Sequence, residues 1–194
     1  MADVQLMDLW LPILVGGVVG FFMSFLLWAV LPHHNAEWKK LPNEDAMMAE
    51  IRSGSVPPGQ YMFPRFENMS DLKDPEKKKR YEEGPMGMVA VWPGVPNMGL
   101  NMVLTFLFYL VSCTLIAYVG TVALDKSVER ITVFQLLTTV SVMTFAFGSI
   151  PNGIWFRKPL RAVVTEFLDC LLTGSVIGAV FAMLWPITQA AGRA

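Results

Sequence analysis

The chain has 194 residues, 54% of them hydrophobic, and its 31 charged side chains leave a formal net charge of −1. That balance excludes a protein held to nucleic acid by its overall field, and the length leaves room for one compact bundle without a large separate soluble domain. Two cysteines, Cys113 and Cys170, both within apolar runs, argue against a disulfide framework or a cysteine-based zinc site.

Residues 1–8 form a short tail with no lysine or arginine. The apolar run at 9–32 is longer than the core of a signal peptide and lacks a small-residue cleavage pattern, so it is expected to be a retained transmembrane helix. Further apolar runs at 99–124, 131–150 and 162–187 are each long enough to cross a hydrocarbon layer roughly 30 Å thick, which takes about 20 helical residues. The expected fold is an all-α membrane protein of four transmembrane helices, with a polar segment at residues 33–98 between helices 1 and 2 and a C-terminal tail at 188–194. That polar segment carries 19 of the 31 charges. Lys and Arg number twelve on its side of the membrane, counting Arg157, Lys158 and Arg161, against Lys126, Arg130 and Arg193 on the other. The asymmetry predicts a cytoplasmic long segment, with both termini on the opposite, periplasmic face.

Within the polar segment, Asn43 is placed to cap a short helix that ends at Gly54, and Trp38, Lys39 and Lys40 suit the headgroup zone. Three prolines in residues 56–64 forbid regular helix and predict an extended strap. Pro57, Pro58, Tyr61, Phe63 and Pro64, with Phe66 just beyond, make an expected partner surface. Asp74 and Pro75 start a second helix that carries the basic run at 77–80 and stops at Gly84. Four acidic neighbours offset that run, so a solvated face is a plainer reading than a lipid-binding one. Residues 86–92 read as a short extended run.

Within the spans, Gly16 and Gly20 in the first and Gly174 and Gly178 in the fourth recur every four residues, the spacing that lets helix backbones approach closely in lipid. Such faces serve internal packing or a partner subunit equally well. Hydroxyls and an amide at Thr105, Tyr109, Ser112, Gln135, Thr138 and Ser141 are expected to hydrogen-bond across the bundle. Glu166 and Asp169 are the acidic residues well inside a span. They share a helix face, and each costs roughly 2.5–3.5 kcal/mol at a membrane centre without a partner or a function. The plain alternative ties them to Arg157, Lys158 or Arg161. His33 and His34 follow the first span as candidate metal ligands together with Glu37. Adjacent side chains diverge on regular backbone, so interfacial anchoring beside Trp38 is the simpler expectation.

The paired histidines, the strap Pro57-Pro-Gly-Gln-Tyr-Met-Phe-Pro64, Gly84-Pro-Met-Gly87, Pro96-Asn-Met-Gly99 and Pro151-Asn-Gly-Ile-Trp155 together resemble a group of bacterial integral membrane proteins. The resemblance covers most of the chain from His33 onward. It implies a bacterial inner-membrane location and supplies no activity and no catalytic residues. The sequence contains no phosphate loop, nucleophile elbow or cysteine pair, and it points to no cofactor. The expected function is therefore that of a non-enzymatic accessory or scaffold subunit. Its partners would be the lipid bilayer and another protein or further copies of itself, not nucleic acid. A small proton- or ion-coupled transporter using Glu166 and Asp169 is the alternative, and a membrane enzyme with a metal near His33 and His34 is the third reading.

Overall fold

A computed structural model describes residues 3–187. In chain order its elements are α1 (Trp10–Phe25), α2 (Glu44–Ser53), β1 (Gly59–Phe63), α3 (Pro75–Glu83), β2 (Gly87–Val91), α4 (Met98–Ala123), α5 (Arg130–Ala146), α6 (Ser149–Trp155) and α7 (Leu160–Leu184). They divide into two compact units, one of residues 1–39 with 98–194 and one of residues 40–97. The protein is mostly helical, and four helices are long and apolar enough to cross a membrane: Leu6–Val30, Met98–Ala123, Arg130–Trp155 and Leu160–Leu184.

The first unit is a bundle with α7 at its centre. α7 packs most extensively on α5 and also on α1, which in turn packs on α4. Ile116, Leu137, Ile177 and Phe181 are fully buried where these helices meet. The small residues explain the tight approach. Gly20 lies against the Tyr109 ring and Ile177, and Gly16 against Cys113. Gly174 lies against Val142 and Ser141, and a Cβ built on Gly178 would stand 2.9 Å from the Thr138 Cα. These faces are used within the chain. Of the residues expected to hydrogen-bond across the bundle, Tyr109 shares a side-chain hydrogen bond with Ser24 of α1, whereas Thr105 and Ser141 donate to the carbonyls of Asn101 and Leu137, one turn back on their own helices. A hydroxyl that bonds its own i−4 carbonyl needs no partner helix, which is how lipid-facing helices tolerate Ser and Thr.

Two boundaries differ from expectation. The residues assigned to an N-terminal tail are folded from Asp3 on: Asp3 bridges Asp125, Val4 is buried, and Asp8 pairs with Lys126 at 2.9 Å. The stretch from Pro151 to Trp155, which lies between the expected spans at 131–150 and 162–187, is helical in α6, with Pro151 in the first turn. A first-turn proline loses no intrahelical bond, because the N–H it lacks has no partner there. The C-terminal tail at 188–194 lies outside the described residues.

In the second unit the strap and the run at 86–92 are partners. β1 and β2 pair antiparallel, with Tyr61 opposite Val89 and Phe63 opposite Gly87. The sequence shows two extended runs without their pairing, because no tight-turn signal joins them. Tyr61 donates to the Pro57 carbonyl at 2.7 Å, and the Phe66 ring packs 4.7 Å from that of Tyr81. Both are half-buried in these local contacts, whereas Phe63 stays exposed. Asp74 caps α3 by accepting from the Glu76 and Lys77 amides, and Gly84 ends it at φ 64°. Asn43 sits at the head of α2 without a side-chain cap bond.

Candidate metal centre

The site is built where the first span ends. The last turn of that helix widens to a π turn at Leu26–Val30, closed by Leu31 N–H donating to the Leu26 carbonyl. Pro32 then opens a 3-10 turn, Pro32–Glu37, which packs on α7. A proline at its first position has no helical donor to lose, and π turns of this kind recur at functional sites.

From this turn both histidines reach one carboxylate. His33 Nε2 lies 3.1 Å from each Asp169 oxygen, and His34 Nε2 lies 2.7 Å from Oδ2. The two rings are 4.3 Å apart, and His34 stacks on Trp28 at 3.8 Å. His34 and Asp169 are buried, while the His33 side chain is 30% exposed. One ligand atom from each of His33, His34 and Asp169 lies within 4.8 Å of the others. Divergence of adjacent side chains, the reason for setting the pair aside, fails here because the 3-10 turn faces α7 and long imidazoles converge on a single acid.

Glu37 takes a different place from the one expected. Its Oε2 lies 3.0 Å from Nδ1 of His34, on the far side of the ring from Asp169. Both side chains are 5% exposed, and the other Glu37 oxygen is buried. The carboxylate is thus a second-layer partner of His34. Burial is the largest single influence on His34 and pulls its pKa down, but Glu37 and Asp169 together outweigh it and raise the net value. Burial likewise pushes Glu37 up, but His34, with smaller help from Thr165 and Lys158, outweighs it and holds the carboxyl below its ordinary range.

Glu166 and Asp169 share a helix face but not partners. Glu166 pairs with Lys158 at the helix start, the tether that loop cations were expected to supply. Asp169 takes the histidines instead. Arg161 reaches the His33 carbonyl at 3.5 Å. Beside the cluster lies a cavity of ≈ 200 Å³ whose wall includes Ser24, Trp28, Tyr109, Glu166, Asp169 and Cys170. Nothing in the sequence pattern points to Trp28 or Tyr109 as neighbours of the acids.

The arrangement suits a transition-metal ion. Imidazole and carboxylate ligands at 2.0–2.2 Å in a tetrahedral shell stand roughly 3.3 Å from one another. The observed 2.7–3.1 Å contacts need only a few tenths of an ångström of expansion. A ligating histidine commonly donates its other N–H to a carboxylate, which fixes its tautomer, and Glu37 stands where that acceptor belongs. Comparison with protein-family models, curated proteins and solved structures gives no match to this chain, so the reading rests on this geometry.

Proposed function

We propose that this is a multi-pass membrane protein that binds one divalent first-row transition-metal ion, of the zinc or ferrous class, through His33 Nε2, His34 Nε2 and the Asp169 carboxylate. The observation that carries the reading is the convergence of two imidazoles on one buried acid, with a second carboxylate on the far nitrogen of His34. Two histidines and one carboxylate suit zinc and non-haem iron alike, whereas magnesium and calcium prefer all-oxygen shells. The charge asymmetry of the loops supports our reading of a bacterial inner-membrane protein with both termini periplasmic, in which the site lies at the cytoplasmic boundary. Asp169 sits nine residues into α7, about 13 Å along its axis. An acid at that depth is costly alone; the two imidazoles meet it, and a cation held among the three groups would add the countercharge.

The test is metal content of the full chain purified in detergent after equilibration with Zn²⁺ or Fe²⁺ and removal of loose ions. About one equivalent per chain is expected. Asp169→Asn and the double variant His33→Ala/His34→Ala should lose it, and Lys158→Gln should keep it. Retention of the metal in the ligand variants, or none in the native chain, would refute the proposal.

A docking role for the segment of residues 40–97 is a second proposal, favoured by the exposed Phe63 on a sheet of two strands. Photo-crosslinking from position 63 to one recurrent protein would support it, and labelling by lipid alone would remove it.

A further inference from the structure

The proposed shell has three protein ligands, the number found in zinc sites that do chemistry, whereas closed structural sites have four. Among the described residues the cluster holds three such ligands, which leaves a fourth position for a ligand from outside it, and two observations bear on what that ligand is.

The first is the cavity. Asp169 belongs both to the cluster and to the wall of the ≈ 200 Å³ space, and Trp28, which stacks on His34, lines the same wall. Ser24, Tyr109 and Cys170 line the same space, so a small polar molecule would find two hydroxyls and a thiol beside the carboxylate. The volume admits a molecule of a few heavy atoms.

The second is charge. Asp169 and Glu37 cancel a divalent ion, and Lys158 cancels Glu166. Arg161, held at the His33 carbonyl, leaves one positive charge over. Net charge beside a hydrocarbon layer is costly, so the site is completed most favourably by one negative charge. Resting on the metal-binding reading above, we propose that the metal keeps one coordination position open toward the cavity and that this position takes a small carboxylate-class monoanion. The site is then a ligand-binding centre, with the cavity as its anteroom, and not a structural staple between α1 and α7.

The experiment uses the full chain in detergent loaded with Co²⁺, whose visible absorption reports coordination, and azide as the probe monoanion. Native protein should bind one Co²⁺ and change its visible bands on azide addition, with saturation. Ser24→Leu and Cys170→Leu, on α1 and α7, narrow the cavity from two helices without replacing a ligand. Each should keep Co²⁺ and weaken azide by at least about tenfold, as expected when a pocket is filled. If Co²⁺ binds and azide leaves the bands unchanged, the shell is closed and the inference falls while the metal-binding reading stands. An azide response of native strength in both cavity-filled variants would also overturn it, since access then runs elsewhere. Failure of native protein to take Co²⁺ would remove both.

Discussion

Glu37 offers the sharpest test of the metal centre, because it touches no metal in the proposed shell. Its carboxylate accepts from His34 Nδ1 at 3.0 Å with both side chains nearly excluded from solvent. Without it, the imidazole keeps its stack on Trp28 and its Nε2 contact with Asp169 but loses the acceptor that fixes the proton on Nδ1. A buried hydrogen bond to a charged group contributes about 1.5–3 kcal/mol, or roughly 10–150-fold in an equilibrium constant. Loss of a carboxylate partner from a ligating histidine typically weakens metal affinity by about 10–100-fold, in agreement. Glu37→Ala should therefore raise the Zn²⁺ dissociation constant about 10–100-fold while leaving one site per chain. Glu37→Gln keeps an acceptor and loses the charge, so its penalty should be about half in free energy. A competition titration against a chromophoric chelator reads both. Thermal unfolding gives an independent check: at a metal concentration 100 times the native dissociation constant, binding adds about 2.7 kcal/mol, and a hundredfold weaker site keeps only about 0.4 kcal/mol. Native affinity in Glu37→Ala, or a larger loss in Glu37→Gln than in Glu37→Ala, would refute a carboxylate that sets the tautomer.

Two further predictions concern the scaffold. Gly178→Ala drives a methyl against Thr138 backbone that cannot rotate away, so it should cost about 1–3 kcal/mol in detergent unfolding, whereas Gly148→Ala, with open space around it, should be neutral; equal midpoints for the two would show that α5 and α7 are not in close contact. In the second unit, the Lys77 ammonium and the amides of Asn68 and Glu67 hold the Asp71 carboxyl below its ordinary value of 3.8. Its stabilising effect is present at neutral pH and fades as pH falls through that lowered pKa. Amide protection near residues 68–74 should accordingly be unchanged from pH 7 to 5 and drop in stronger acid, and Asp71→Asn should show the loss at neutral pH by hydrogen exchange.

The spans were legible because hydrocarbon imposes a length and an apolar composition that no loop needs, and the second-unit helix at Asp74-Pro75 because cap and first-turn chemistry are local. The pairing of β1 with β2 was not, since 23 residues separate Phe63 from Gly87 and no hairpin turn marks their register. Nor was the convergence of His33 and His34 on Asp169, at separations of 136 and 135 residues. The acid pair nevertheless contained a usable clue. Glu166 and Asp169 differ by three residues, about 4.5 Å along the helix. The shallower acid can be met by a lysine folding over its own helix start, and Lys158 does so. The deeper one lies beyond that reach and must be met from another span. The first span ends in two imidazoles at the same boundary, so depth alone separates an acid tied to its own loop from one that recruits a site across the bundle.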